Sequence, residues 1–287
     1  MSILLGQVIS LLKLRISVAI AISALAGLAA ATGPALSPIQ AAAFTLAVLG
    51  AAGAAGAFNH YYERDIDIRM MRTCRRPFAS GLLSANPWWV ASFGILLIAS
   101  LALAVISGGV VAALYVFLGA FTYGVVYTVW LKRRTVWNIV VGGLAGSFAV
   151  LAGAAAVDPA PQIVPLLLAV VMFLWTPPHF WSLAAARRDD YAAAGVPMLS
   201  VTAPDRFWTL AILLHTAVLA VLSLVPLGFG LGSVYGVAAA IGGGYFVWRS
   251  WQLFLKPSRS TAMANFRASL VQLSLLVVGV IADAAVG

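Results

Sequence analysis

Residues 59–77, NHYYERDIDIRMMRTCRRP, follow a long run of almost pure Ala, Leu, Ile, Val and Gly, and that change of composition decides the fold. The apolar run is long enough to cross a bilayer as a helix, which takes about 20 residues. The charged stretch that ends it holds three of the chain's eight acids (Glu63, Asp65, Asp67) and five of its seventeen bases.

The same alternation recurs along the chain. Of 287 residues, 63% are hydrophobic and 9% charged, with mean hydropathy +1.02, which excludes a soluble globule. Apolar runs of spanning length recur, and the short alternating segments of a membrane β-barrel are absent. The chain reads as an all-α, polytopic membrane bundle forming a single domain, 1–287. Nine spans are expected, at 15–33, 38–58, 86–107, 109–130, 136–156, 162–185, 205–226, 230–251 and 266–286. Lys13, Arg15, an apolar run and Ala29–Ala31 share features with a signal peptide. Residues 16–33 are nonetheless long enough to span, and a polytopic chain follows, so they are read as a retained first helix.

Every Lys and Arg lies before the first span or beside the connections that follow the second, fourth, sixth and eighth; the alternate turns carry none. By the positive-inside rule the N-terminus and long loops are cytoplasmic and the C-terminus is outside. The net charge of +9 therefore reports orientation, not nucleic-acid affinity. The lone cysteine, Cys74, excludes an internal disulfide.

Acids carry separate information, because orientation rules do not ask for them. Six of the eight (Glu63, Asp65, Asp67, Asp189, Asp190, Asp205) fall on the basic side, after the second and sixth spans. They suggest one shared polar mouth. A carboxylate near membrane depth costs about 2.5–3.5 kcal/mol on insertion scales and usually has a function.

Asn59, Glu63 and Asp67 are spaced i, i+4, i+8, so a continuing helix stands them on one face as a ladder of hard oxygen donors. Magnesium takes one or two carboxylates and fills its other positions with water and substrate phosphate. Arg72, Arg75 and Arg76 follow and can neutralise phosphate oxygens. The alternative is a solvated loop whose acids and bases pair with one another.

The second cluster, residues 175–199, reads WTPPHFWSLAAARRDDYAAAGVPML. Pro177 and Pro178 are expected to break or kink the sixth span and free backbone carbonyls. His179 beside them either packs with one hydrogen bond or contacts an anionic or heme-like substrate. Arg187 and Asp190 form either an i, i+3 ion pair or a diphosphate contact and a second metal ligand. Lys132 and Arg133, on the same side, set orientation or bind substrate; Asn138 opens the fifth span, and Tyr123 and Tyr127 line a pocket or pack. No two histidines are spaced as ligands, so no transition-metal site is expected. The small residues Gly50, Gly53, Gly56 and Gly142-x-x-x-Gly146 suit close helix packing.

These residues resemble a known family. Asn59-x-x-x-Glu63-x-x-x-Asp67 is similar to the first aspartate-rich motif of the intramembrane prenyltransferase superfamily. Asp65-Ile-Asp67, Met71-x-Thr73, Arg76-Pro77, Tyr127-Thr128-x-x-Leu131-Lys132-Arg133-x-Thr135, Asn138, Pro177-Pro178-His179-Phe180-Trp181 and Arg187-x-x-Asp190-Tyr191 resemble its heme branch. Glu63 stands where the family usually has Asp, and the superfamily's second Asp-x-x-x-Asp motif is absent.

The resemblance implies Mg2+-dependent transfer of a farnesyl group from farnesyl diphosphate to a vinyl group of protoheme IX (heme B). It implies Asn59, Glu63, Asp67 and Asp190 as catalytic metal ligands. Substrate-binding residues would be Arg72, Arg76, Tyr127, Lys132, Arg133, Asn138, His179 and Arg187. It also implies a multi-pass protein of the bacterial cytoplasmic (inner) membrane, active at its cytoplasmic face. No nucleic acid is involved, and the product passes to a heme-modifying enzyme or terminal oxidase assembly. Prenylation of an aromatic quinone precursor is the alternative within the class. A cation-coupled transporter also places carboxylates in a membrane, but here the acids crowd one face instead of marking a path across.

Overall fold

The computed structural model describes residues 2–286, and no strand occurs among them. In hydrocarbon every backbone N–H and C=O needs a partner within its own segment, which the Ala-, Leu- and Val-rich runs supply as helix. The chain forms α1 (Ser2–Leu11), α2 (Leu14–Ala30), α3 (Pro38–Tyr62), α4 (Arg64–Asp67) and α5 (Pro87–Phe121), the last continuing as a π-helical stretch, Thr122–Leu131. Then come α6 (Asn138–Gly142), α7 (Leu144–Val157), α8 (Ile163–Ala186), α9 (Arg188–Ala193), α10 (Leu199–Thr202), α11 (Asp205–Leu222), α12 (Ser233–Leu255) and α13 (Arg259–Val286). Local chemistry sets the ends: α3 opens on a capping box in which Ser37 and Gln40 bond each other's backbone N–H, with Pro38 as first helical residue.

Among the described residues, six helices are long and apolar enough to cross a membrane. One of them, Pro87–Leu131, has 45 residues; straight, it would run about 67 Å, roughly twice the hydrocarbon thickness. It is not straight. Gly109 has φ +86°, a conformation that favours glycine, and the chain reverses there. Gly108 faces Phe44 and Ser100 faces Gly50, so the first half runs antiparallel to α3; Gly124 faces Ala55 and Phe58, and Thr128 bonds Asn59, so the second half runs parallel to it. The expected pair of spans, 86–107 and 109–130, is this hairpin, and the other expected spans also fall on helices.

Small residues set the closest crossing, but not all of those expected to. A Cβ on Gly27 or Gly153 would overlap the backbone carbonyl of Val150 or Ala24, so α2 and α7 cross nearly backbone to backbone. Gly142 and Gly146 meet different neighbours, Tyr127 of the π-helical stretch and Met172 of α8, and neither crossing brings backbones together. A second expectation fails in part. α8 runs unbroken from Ile163 to Ala186 with Pro177 and Pro178 inside it. Proline's fixed φ is itself helical, so the helix continues, but the prolines have no N–H for the carbonyls of Phe173 and Leu174, which are freed as expected.

The acids divide by end. Six gather where α3, the π-helical stretch and α8 finish and α13 begins. The other two lie at the far end and hold backbone amides: Asp158 accepts from Ala160 N, and Asp283 from Gly232 N and Tyr235 N at the start of α12.

Candidate active site

The ladder forms, although α3 ends at Tyr62. Glu63 N donates to Asn59 O at 2.9 Å and Asp67 N to Glu63 O at 2.8 Å, so the i, i+4 register crosses from α3 into α4. All three side chains are buried, Glu63 completely.

Each rung meets a base from a different element. Lys13 Nζ, from the α1–α2 hinge, donates to Asn59 Oδ1 and to the Tyr123 hydroxyl at 2.9 Å. Lys132 Nζ, after the π-helical stretch, donates to Glu63 Oε2. Arg76 grips both oxygens of Asp67, at 2.7 and 2.9 Å. Asn59 is oriented further by donating Nδ2 to Thr128 Oγ1 at 2.9 Å. Charges this deep need such partners, since an uncompensated one is very costly.

Lys13 was not singled out by sequence, where a base ahead of a first span simply reports orientation. It is the one non-glycine residue with positive φ (49°) among the described residues. That turn swings its side chain back under α3, where a Cβ on Gly56 would already sit 3.4 Å from it. Burial, then the field of Arg76, lowers the Lys13 ammonium well below the ordinary lysine range.

Lys13 and Tyr123 also line an apolar cavity of about 80 Å³, together with Ile20, Val48, Ala52, Tyr115 and Ala120. Lys13, in its wall, links the cavity to Asn59.

Other expected residues separate into those that join the ladder and those that do not. Tyr127 stacks on Tyr123 at 5.7 Å and lies under Lys132 Nζ. Asn138 closes the loop behind Lys132, donating to Thr135 O at 2.6 Å, while its Oδ1 is buried without a partner. Arg133 turns outward to chelate Asp65 with two contacts of 2.7 Å, which holds that carboxyl below the usual carboxylate range and raises the guanidinium. Arg72 is exposed at the rim.

Asp190 and Arg187 do not form the i, i+3 pair. Asp190 Oδ1 instead accepts from Met71 N at 3.3 Å, which ties α9 to the loop after the ladder. Its Oδ2 and Arg187 Nε are buried without partners. His179 stays apart from this cluster. Its Nδ1 lies 2.7 Å from Ser269 Oγ, and its ring sits 4.1 Å from Trp175 and 4.6 Å from Phe266, in the seam between α8 and α13.

The donor set suits magnesium. It consists of amide and carboxylate oxygens, with Glu63 Oε1 and Asp190 Oδ2 buried and otherwise unsatisfied. Among the described residues no three His, Cys, Asp or Glu converge to cage a cation alone. Magnesium does not require it, because water and phosphate complete its shell.

The comparisons agree in direction. Residues 20–276 match the model of the UbiA prenyltransferase family. Protoheme IX farnesyltransferase 2 of Paramagnetospirillum magneticum is 54% identical over 276 residues, 96% of this chain and 95% of that protein. A UbiA homologue from Aeropyrum pernix superposes with TM-score 0.75 at 20% identity, over 94% of this chain and 98% of its own. Another from Archaeoglobus fulgidus, solved with GPP and Mg2+, superposes with TM-score 0.65 at 15% identity, over 96% and 99%.

Proposed function

The chain belongs to the UbiA prenyltransferase family, and from that premise we infer how its ladder and cavity run the reaction of a protoheme IX farnesyltransferase, which makes heme O. It is a multi-pass membrane enzyme. The observation that carries the mechanism is the junction at Lys13 and Tyr123, where an apolar cavity meets the ladder of oxygens.

In this reading the cavity takes the farnesyl tail and sets its diphosphate at the mouth. Asn59, Glu63 and Asp67, with Asp190 across the loop, would hold Mg2+, with water and phosphate completing its shell. The metal, when bound, acts as a Lewis acid on the departing diphosphate. Lys13, Lys132 and Arg76 lie against the ladder oxygens, where their remaining N–H groups can face the oxygens of a bound diphosphate. That places positive charge where negative charge develops as the C1–O bond of farnesyl diphosphate breaks and its electron pair leaves with diphosphate.

The π electrons of the heme vinyl group form the new C–C bond to C1. Water then adds to the resulting cation and loses a proton, giving a hydroxyethylfarnesyl side chain. The Ala- and Val-rich cavity wall excludes other water from the allylic cation. The clustering of bases supports nine crossings, with the ladder facing the cytoplasm of a bacterial inner membrane and the C-terminus outside.

The test is product analysis by mass spectrometry. Membranes carrying the protein receive heme B, farnesyl diphosphate and Mg2+, with and without a chelator, and in parallel 4-hydroxybenzoate. Heme O formed only without chelator is expected; a prenylated benzoate as sole product would replace the acceptor.

A further inference from the structure

A second cavity lies outside the ladder. It is an open pocket of about 180 Å³ between the α8–α9 junction and the first turn of α13, lined by Arg187, Arg188, Asp189, Asp190 and Arg259 over Ala185 and Ala186. We propose that Arg187, Arg188 and Arg259 hold the two propionate carboxylates of the tetrapyrrole here, as the acceptor subsite of the reaction inferred above.

Three observations carry this. First, guanidinium groups outnumber carboxylates in the lining, and the planar guanidinium fork matches a carboxylate. Second, these groups are not used up internally. Arg187 Nε is buried with no partner, and Arg259 makes no ion pair among the described residues. Arg188 alone is paired, through one Nη with Asp205 at 2.9 Å, an exposed contact that leaves its other donors free. A buried guanidinium N–H without an acceptor is costly.

Third, Ala185 and Ala186 give the pocket a small apolar floor on which the propionate-bearing edge of the tetrapyrrole can rest. The two lining acids do not close the cavity. Asp189 is exposed, and Asp190 turns Oδ1 to Met71 N, so it stands between this cavity and the ladder. The two anionic substrates are thereby sorted. Bases on the ladder serve diphosphate, bases on the α9–α13 rim serve carboxylates, and Asp190 marks the boundary across which the vinyl edge must reach.

The test uses the full-length protein in detergent, as wild type, Arg259→Ala and Arg259→Lys. Heme B and its dimethyl ester are titrated by Soret absorbance, and Mg2+ with farnesyl thiodiphosphate is titrated calorimetrically as a control. Removing a charge-assisted contact should raise the Kd for heme B about ten-fold or more in Arg259→Ala. The ester Kd and the thiodiphosphate Kd should not move, and Arg259→Lys should fall between. An unchanged preference for heme B over its ester in Arg259→Ala overturns the subsite, as does thiodiphosphate binding that weakens instead. Wild type that binds neither porphyrin overturns the acceptor itself, and the subsite with it.

Discussion

Residues 59–77 and 175–199 carry similar side chains, yet in the first every carboxylate is ion-paired and in the second none is paired within the stretch. In the first stretch every acid has a base: Lys132 on Glu63 and Arg76 on Asp67 within the ladder, with Lys13 on Asn59, and Arg133 on Asp65 outside it. Around α9 the buried groups are left over, and Asp190 meets only an amide at 3.3 Å. The cause is topological. The ladder's bases arrive from the α1–α2 hinge, the end of the π-helical stretch and its own following loop, all converging on α3. Nothing comparable converges on α9. The ladder is therefore a rigid frame whose members support one another, whereas α9 offers functional groups that the fold does not lean on.

The strongest way to break that contrast is to neutralise one acid in each region. Glu63→Gln strands the Lys132 ammonium in a buried site, and breaking a buried pair costs about 3–5 kcal/mol. It also removes a transition-state contact, for which losses of about 10²–10³ in rate are typical. We expect heme O formation to collapse and the thermal midpoint in detergent to fall. Asp190→Asn should reduce turnover while leaving the midpoint where it was. A larger loss of stability from Asp190→Asn than from Glu63→Gln would reverse the assignment of frame and free group.

Lys13→Met comes next. It removes one donor from Asn59 and from the mouth of the tail cavity without stranding a carboxylate. Binding of farnesyl thiodiphosphate should weaken about ten-fold, as for a lost charge-assisted hydrogen bond, and Lys13→Arg should restore part of it. Unaltered binding in Lys13→Met would confine Lys13 to setting orientation.

How far sequence reaches is visible in these same residues. The spans were legible because a bilayer imposes a length on apolar runs, and even the reversal at Gly109 falls on the first residue of the second of two expected spans. The ladder was legible because i, i+4 spacing survives a helix end when the backbone bonds continue through it. Lys13 was not, since its reach depends on a left-handed turn and on Gly53 and Gly56 across from it, which are tertiary facts. The unbroken α8 was missed for a related reason. Proline predicts a break from local propensity, and the bundle around it overrides that preference. His179 borders residues of the motif, yet its ring faces α13, a direction that sequence spacing does not give.

The cavity sharpens the comparison from the apolar side. Ile20 lines it seven residues beyond Lys13, roughly 10 Å along α2 at 1.5 Å per residue. Ile20→Trp should shorten the space for the tail and shift kcat/KM from farnesyl toward geranyl diphosphate. Fit differences of one or two carbon units in apolar pockets are worth about 10–200-fold. An unchanged ratio would remove the tail from this cavity.

The smallest effect is expected where the ladder region touches water. Arg133 and Asp65 form a two-point pair, but the Asp65 side chain is 56% exposed, so solvent screens it and about 0.2–1 kcal/mol is its scale. The Asp65 pKa is lowered, first by the Arg133 hydrogen bond. The contribution is therefore complete above the ordinary carboxylate value near pH 4 and disappears as pH falls through the lowered one. Asp65→Asn should lower the thermal midpoint slightly at pH 7, and its difference from wild type should vanish on acidification below about pH 4. A midpoint loss at pH 7 comparable to that of Glu63→Gln would mean that Asp65 belongs to the buried frame, and that Arg133 serves the ladder after all.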